Sequence, residues 1–192
     1  MSLVLTSGPA LEPVSLAEAK AHLRIDSATD DTLIQSLIVT SRLHIEAALG
    51  LSLITQSWSW MLDRWPQGQR VALPLRPVQS IIHIKLWRRD GVSETLPASA
   101  FLFDGQGNPP RLFPLGLVPI AEPELPINGI EIAFTSGFGG AALDVPATIR
   151  HALLLLIAHW YEHREPVEVA LPVNAVPTMV SELLHPFRRK RL

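Results

Sequence analysis

The 192-residue sequence contains no cysteine. That absence removes disulfides, thiolate metal sites and cysteine nucleophiles together, and it fits a reducing compartment. Charge is scarce as well, at 18% of residues against 47% hydrophobic. So little charge excludes extended disorder and predicts large apolar contact surfaces, some of them facing another subunit. Long hydrophobic runs are missing: the longest, Ala152 to Ala158, falls far short of the roughly 20 residues that span a bilayer. The opening MSLVLTSGPALEP lacks the basic start and apolar stretch of a signal peptide. The chain reads as soluble, with no membrane partner. Neither charge sign dominates, since 16 basic and 18 acidic residues give −2. Yet four of the basic residues are Arg188, Arg189, Lys190 and Arg191, and without them 12 basic residues face 18 acidic ones, a net of −6. A protein that coats nucleic acid spreads its cations over a face or groove, whereas here they gather at one end.

What is present predicts helices at both ends of a strand-rich middle, at a length suited to one large domain or two small ones. Ser15-Leu16-Ala17-Glu18 is a capping box opening a short helix to about Arg24. Asp30 or Asp31 offers the next N-cap, and Ile34, Leu37, Ile38, Ser41, Ile45, Ala48 and Leu49 recur at helical spacing until Gly50, a left-handed stop. Arg42 and Glu46, four apart, read as a pair on the polar side of this helix, contributing a few tenths of a kcal/mol.

From Leu53 the period changes to two, with Ile54, Gln56, Trp58, Trp60 and Leu62 alternating with Thr55, Ser57, Ser59, Met61 and Asp63. Further strands are predicted at Val71 to Leu73, at Ser80 to Trp87, after the Asp90-Gly91 turn, and at Gly129 to Phe134. The stretch holding Pro109, Pro110, Pro114, Pro119, Pro123 and Pro126 admits at most edge strands or unpaired arms. Asp144-Val145-Pro146 reopens helix through Ile149, Ala152, Leu153, Leu156, Ile157 and Trp160 to Arg164. Its middle, Leu153 to Ile157, is apolar all round, which predicts cover on more than one side. A short amphipathic segment from Thr178 to Leu184 precedes the basic end.

Candidate chemistry is sparse. His159-Trp160-Tyr161-Glu162-His163 matches H-x-x-E-H, in which two imidazoles four apart hold zinc and the glutamate activates water. A catalytic zinc needs a third protein ligand, and after His163 only Glu165, Glu168 and Glu182 remain. Of these Glu182 alone stands clear of the proline-broken helix exit, so the match reads more simply as the half-polar end of a core helix. Gly137-Phe138-Gly139-Gly140 has neither dinucleotide-binding spacing nor a P-loop lysine and reads as a flexible turn. Trp58, Trp60, Trp65 and Trp87 are candidates for a base-stacking platform, although sheet core or subunit interface explains them with less. The basic end is able to contact duplex DNA by charge alone, dock on an acidic rim, or stay solvated.

Two stretches then stand out together. Glu12-Pro13-Val14-Ser15-Leu16-Ala17-Glu18-Ala19-Lys20-Ala21-His22-Leu23-Arg24, with Asp30-Asp31 and the long helix ending at Gly50, resembles the N-terminal signature of the phage head–tail connector (adaptor) family, which also occurs in gene transfer agents. Thr135-Ser136-Gly137-Phe138-Gly139, Val145-Pro146-Ala147-Thr148-Ile149-Arg150-His151-Ala152 and His159-Trp160-Tyr161-Glu162-His163-Arg164-Glu165 resemble that family's second helical block. The strand-rich middle resembles its longer branch, which carries a β insertion.

The resemblance implies a structural protein without catalysis or cofactor. Copies are expected to form a ring, of about twelve, beneath the portal of a capsid, extending the DNA channel and meeting a stopper or tail protein, with DNA passing only as cargo. The location it implies is the head–tail junction of a virion or phage-like particle, with assembly in the bacterial cytoplasm. The expected fold class is α+β: an antiparallel helical bundle built from residues 1–52 and 136–192, with a strand-rich insertion over 53–135. The C-terminal segment is the expected portal-docking element, through Met179, Val180, Leu183 and Leu184 as apolar anchors and Arg188, Arg189, Lys190 and Arg191 as charges. Leu153, Leu156, Ile157, Trp58 and Trp60 are the expected subunit interface. The alternatives are a zinc peptidase using His159, Glu162 and His163, and a DNA-binding module using the tail.

Overall fold

Three apolar rungs organise the β part of the chain. Trp58, Phe134 and Ile81 lie side by side on three neighbouring strands, as do Trp60, Ile132 and Ile84, and Leu62, Ile130 and Leu86. The computed structural model describes residues 1–116, 120–163 and 177–188. Among these residues lie four α-helices and two antiparallel sheets, a mixed α and β fold. The chain divides into a β unit, residues 1–10 and 50–138, and a helical unit, residues 11–49 and 139–192.

In the β unit, β1 (Ser2–Ser7), β2 (Gln56–Leu62), β4 (Val78–Trp87), β5 (Ser93–Leu96) and β8 (Ile130–Ser136) form a sheet of order β1-β2-β8-β4-β5. A second sheet, β3-β7-β6, is built from β3 (Val71–Ala72), β6 (Phe101–Asp104) and β7 (Arg111–Pro114). Val71, Phe101 and Leu112 of the small sheet share one core with the rungs of the large one, together with Trp65, Leu73 and Val78. Expected strands at Val71, Ser80 and Ile130 are present within a residue or two. Strands β1, β6 and β7 were not expected, and β1 places residues 2–7 in the sheet rather than among the helices.

Gly137 is not the flexible turn its neighbours suggested. Its φ of +146° and the backbone of Ile54 and Thr55 leave no room for a side chain, because a Cβ there would sit 2.6 Å from the Ile54 carbonyl carbon and the Thr55 nitrogen. Its N–H donates to the Pro77 carbonyl at 2.9 Å, and its own carbonyl accepts from Gln79 Nε2. Gly137→Ala is expected to lower stability by about 2–3 kcal/mol, from strain and overpacking that backbone neighbours cannot relieve. Gly140→Ala, where a Cβ meets nothing within 4 Å, is the near-neutral reference. Denaturant midpoints of the two variants check this.

In the helical unit, α1 (Leu16–Leu23) begins in the predicted capping box, with Glu18 N–H donating to Ser15 Oγ and Ser15 N–H to Glu18 Oε2. It ends at Arg24, held at φ +58°. Helix α2 (Asp31–Leu49) stops at Gly50, φ +63°. Helix α3 (Ala147–Glu162) takes Pro146 as its N-cap rather than inside its first turn, and Arg164 lies outside the described residues. Helix α4 (Thr178–Leu184) matches its expected span. Helices α1, α2 and α3 pack on one another, and α4 packs on α3.

Arg42 and Glu46 correct the sequence reading most sharply. They are 7% and 8% exposed rather than on a solvated face. Arg42 Nη1 donates to Glu46 Oε2 at 2.8 Å, and its Nε donates to Glu12 Oε2 at 2.7 Å. Burial alone would discourage the Arg42 charge, but the two carboxylates outweigh it and hold the guanidinium's pKa above its ordinary value.

Candidate interaction surfaces

The residues that made the two stretches recognisable turn out to join helix to helix. Arg150 of α3 donates from Nε to the Pro13 carbonyl at 3.0 Å and pairs through Nη2 with Glu18, the capping-box carboxylate. Hydrogen bonds from Ser15 and the Arg150 charge hold Glu18 below the usual carboxylate range against a small cost of burial. Lys20 of α1 meets Asp31 at 2.6 Å, and the Tyr161 hydroxyl donates to Asp30 at 2.5 Å. These residues of the sequence pattern therefore serve as scaffold, tying α3 to the Pro13–Glu18 segment and α1 to α2.

The H-x-x-E-H residues follow the same logic. Tyr161 is engaged by Asp30, and Trp160 stacks edge-on with His44 at 5.6 Å. His163 Nδ1 lies 2.8 Å from the His159 carbonyl, one helical turn back. Burial, followed by the neighbouring His163, pushes His159 below the ordinary imidazole range, with Glu162 acting in the opposite direction. Among the described residues no three His, Asp or Glu side chains converge as metal ligands. Glu165 and Glu168 lie outside those residues.

The tryptophans do not form one platform. Trp58 and Trp60 point to the core face of the large sheet and are half-buried against it. Trp65 is buried, donating from Nε1 to the Ala121 carbonyl, its ring 6.1 Å from that of Phe101. Trp87 points to the opposite face, where its Nε1 donates to Glu131. Glu131 also accepts from Ser59 Oγ at 2.6 Å and has His83 Nε2 at 3.3 Å. Burial pushes the Glu131 carboxyl up, but these partners outweigh it and leave it below the usual range.

The expected interface and docking residues divide by environment. Leu153, Leu156 and Ile157 face inward, and Leu154, Leu155, Ala158 and Trp160 of the same helix are half-buried. On α4, Val180 and Leu184 are buried while Met179 is 59% exposed and Leu183 half-buried. Thr178, Ser181, Glu182, His185 and Arg188 line an open hollow of about 400 Å³ on this segment. Arg188 is exposed at the start of the basic end, and Arg189, Lys190 and Arg191 lie outside the described residues. No described helix is long and apolar enough to cross a membrane.

Comparison with known proteins agrees with the scaffold reading. Residues 13–95 match the family model described as phage gp6-like head-tail connector protein. No curated protein matches the chain. A chain from the neck of an empty gene transfer agent particle, computed with C6 symmetry, shares the fold with a TM-score of 0.86 and 26% identity, over 100% of this chain and 97% of that one. A chain from the virion of a native gene transfer agent particle gives 0.84 and 25% over the same shares. One from the neck of a native particle computed with C12 symmetry gives 0.75 and 26%, again over 100% and 97%. The resemblance to head–tail connectors read from the sequence is borne out by the family model and by the fold.

Proposed function

We propose that the chain is a structural head–tail adaptor of a tailed phage, a prophage or a gene transfer agent, located at the head–tail junction. Its copies form a ring below the portal, continue the DNA channel, and present a platform to a stopper or tail protein. The observation that carries this reading is the fold shared over the whole chain with chains from the necks of gene transfer agent particles. Those necks were computed with C6 and C12 symmetry, and a ring of twelve copies satisfies both. The helices of the two chain halves act as one antiparallel bundle that carries the ring, as the links from α3 to the Pro13–Glu18 segment support.

The basic end is the portal-docking element in this reading. An acidic body with a separate cationic end is suited to clasping an acidic rim, and the excess acid of the body discourages it from retaining DNA in transit. The burial of Val180 and Leu184 sets how this is tested. Deleting residues 178–192 would strip α4 from α3 and damage the helical unit, whereas neutralising the charges leaves that packing intact. Changing Arg188, Arg189, Lys190 and Arg191 together to Gln is expected to weaken portal binding by roughly tenfold or more and to flatten its salt dependence. The chain, mixed with the portal of its own particle, is followed by microscopy and mass measurement. Undiminished portal binding by the fourfold variant removes the docking role from the tail, and absence of any ring with the unaltered chain removes the adaptor reading.

A further inference from the structure

Helix α2 carries its charges on the side where helices usually carry leucines. Its 19 residues include three formal charges, Asp31, Arg42 and Glu46. Asp31 is taken by Lys20 of α1, and Arg42 and Glu46 are turned inward, with Arg42 bridging Glu46 and Glu12. Among the exposed positions, Gln35, Ser36, Val39, Thr40, Leu43 and Ala47 carry no charge. His44, also exposed, is already in contact with Trp160. Val39 and Leu43, one turn apart, are 38% and 53% exposed. A helix about 28 Å long thus shows solvent a neutral face with an apolar centre and small flanks. A solvated helix is ordinarily lined there by Lys, Glu and Arg.

We infer that the outward face of α2 is covered by a second copy of this chain, as part of the lateral contact of the ring. The inference rests on the adaptor reading above, in which each copy has a neighbour on either side in a head-to-tail contact. Charge selects the occupant. Nucleic acid needs cations, and this face has none. A basic or acidic partner surface would find no opposite charge to pair with. Copies of one chain whose bodies each carry −6 repel one another, and they approach at least cost where neither presents a charge to desolvate. Ser36, Thr40 and Ala47 leave room for a neighbour's backbone to come close, with Val39 and Leu43 projecting between them.

The test uses the full chain with the portal of its particle. Because the sequence has no cysteine, Leu43→Cys places a single thiol on the face. That thiol is expected to react rapidly with a maleimide in the free chain and to be protected once rings form. Leu43→Glu and Thr40→Lys are expected to leave the helical content and melting temperature of the free chain near those of the unaltered protein. Either is expected to lower ring yield by roughly tenfold or more, because an unpaired charge would be buried in the contact. Equal labelling of the thiol in rings and in free chain overturns the inference, as does normal ring yield from both charged variants. Normal rings with lost portal binding overturn it too, since the face would then belong to the portal. If the unaltered chain forms no ring with the portal, the adaptor reading fails first and this contact fails with it.

Discussion

Arg42→Ala is expected to destabilise the helical unit by about 3–5 kcal/mol in equilibrium unfolding. The Arg42 side chain is 8% exposed and that of its partner Glu46 10%, so removing the cation takes from a largely buried carboxylate the ion pair that Arg42 supplies. Glu12, at 27%, recovers some hydration and contributes less to the loss. Arg42→Leu combined with Glu46→Leu, which fills the site with apolar side chains, is expected to lie within about 1 kcal/mol of the unaltered protein. Urea titrations at neutral pH separate these outcomes. A loss under about 1 kcal/mol for Arg42→Ala at neutral pH would show that the triad is solvated.

The second large effect belongs to the β unit. Phe134 is fully buried on the strand between β2 and β4, with Trp58 on one side and Ile81 on the other. Truncation to alanine removes the centre of a rung that both neighbours support, and about 3–5 kcal/mol is expected to be lost. Val4→Ala on edge strand β1, at a position 48% exposed, is expected to cost under about 0.5 kcal/mol. Tryptophan fluorescence reports chiefly on the β unit, which holds Trp58, Trp60, Trp65 and Trp87 of the five tryptophans. Where unfolding resolves two transitions, Phe134→Ala moves the one of the β unit and Arg42→Ala the one of the helical unit. Equal losses from Phe134→Ala and Val4→Ala would count against the shared core between the two sheets.

The features legible in the sequence were those whose determinants lie close together along the chain. The capping box at Ser15 and Glu18, the stop at Gly50 and the alternation through Trp58 and Trp60 each act within a few residues, and each appears where expected. Strand β1 escaped because SLVLTS has no polar alternation and its partner lies fifty or more residues away. Strands β6 and β7 sit among glycines and prolines that locally argue against pairing, and they pair chiefly with each other. Arg42 and Glu46 looked like a surface pair because Glu12, which completes the buried triad, is thirty positions upstream. An all-apolar stretch such as Leu153 to Ile157 gives no sign of which side meets the chain's own core. In the helical unit the charged triad marks the inner side of α2, and only the folded chain shows it.

Strand β1 also bears on how such a protein can be cut or acquired. Because residues 1–10 belong with residues 50–138, the β unit is not a cassette with one entry and one exit. A single internal deletion of the middle would leave its first strand stranded on the helices, and a single terminal truncation would leave the sheet without an edge. By the same measure the helices are interrupted by the sheet as much as the sheet by the helices. Recombination that exchanges the β unit between related genes must therefore join two separate segments in register, and a chimera that carries over only the central block is expected to expose the outer edge of β2.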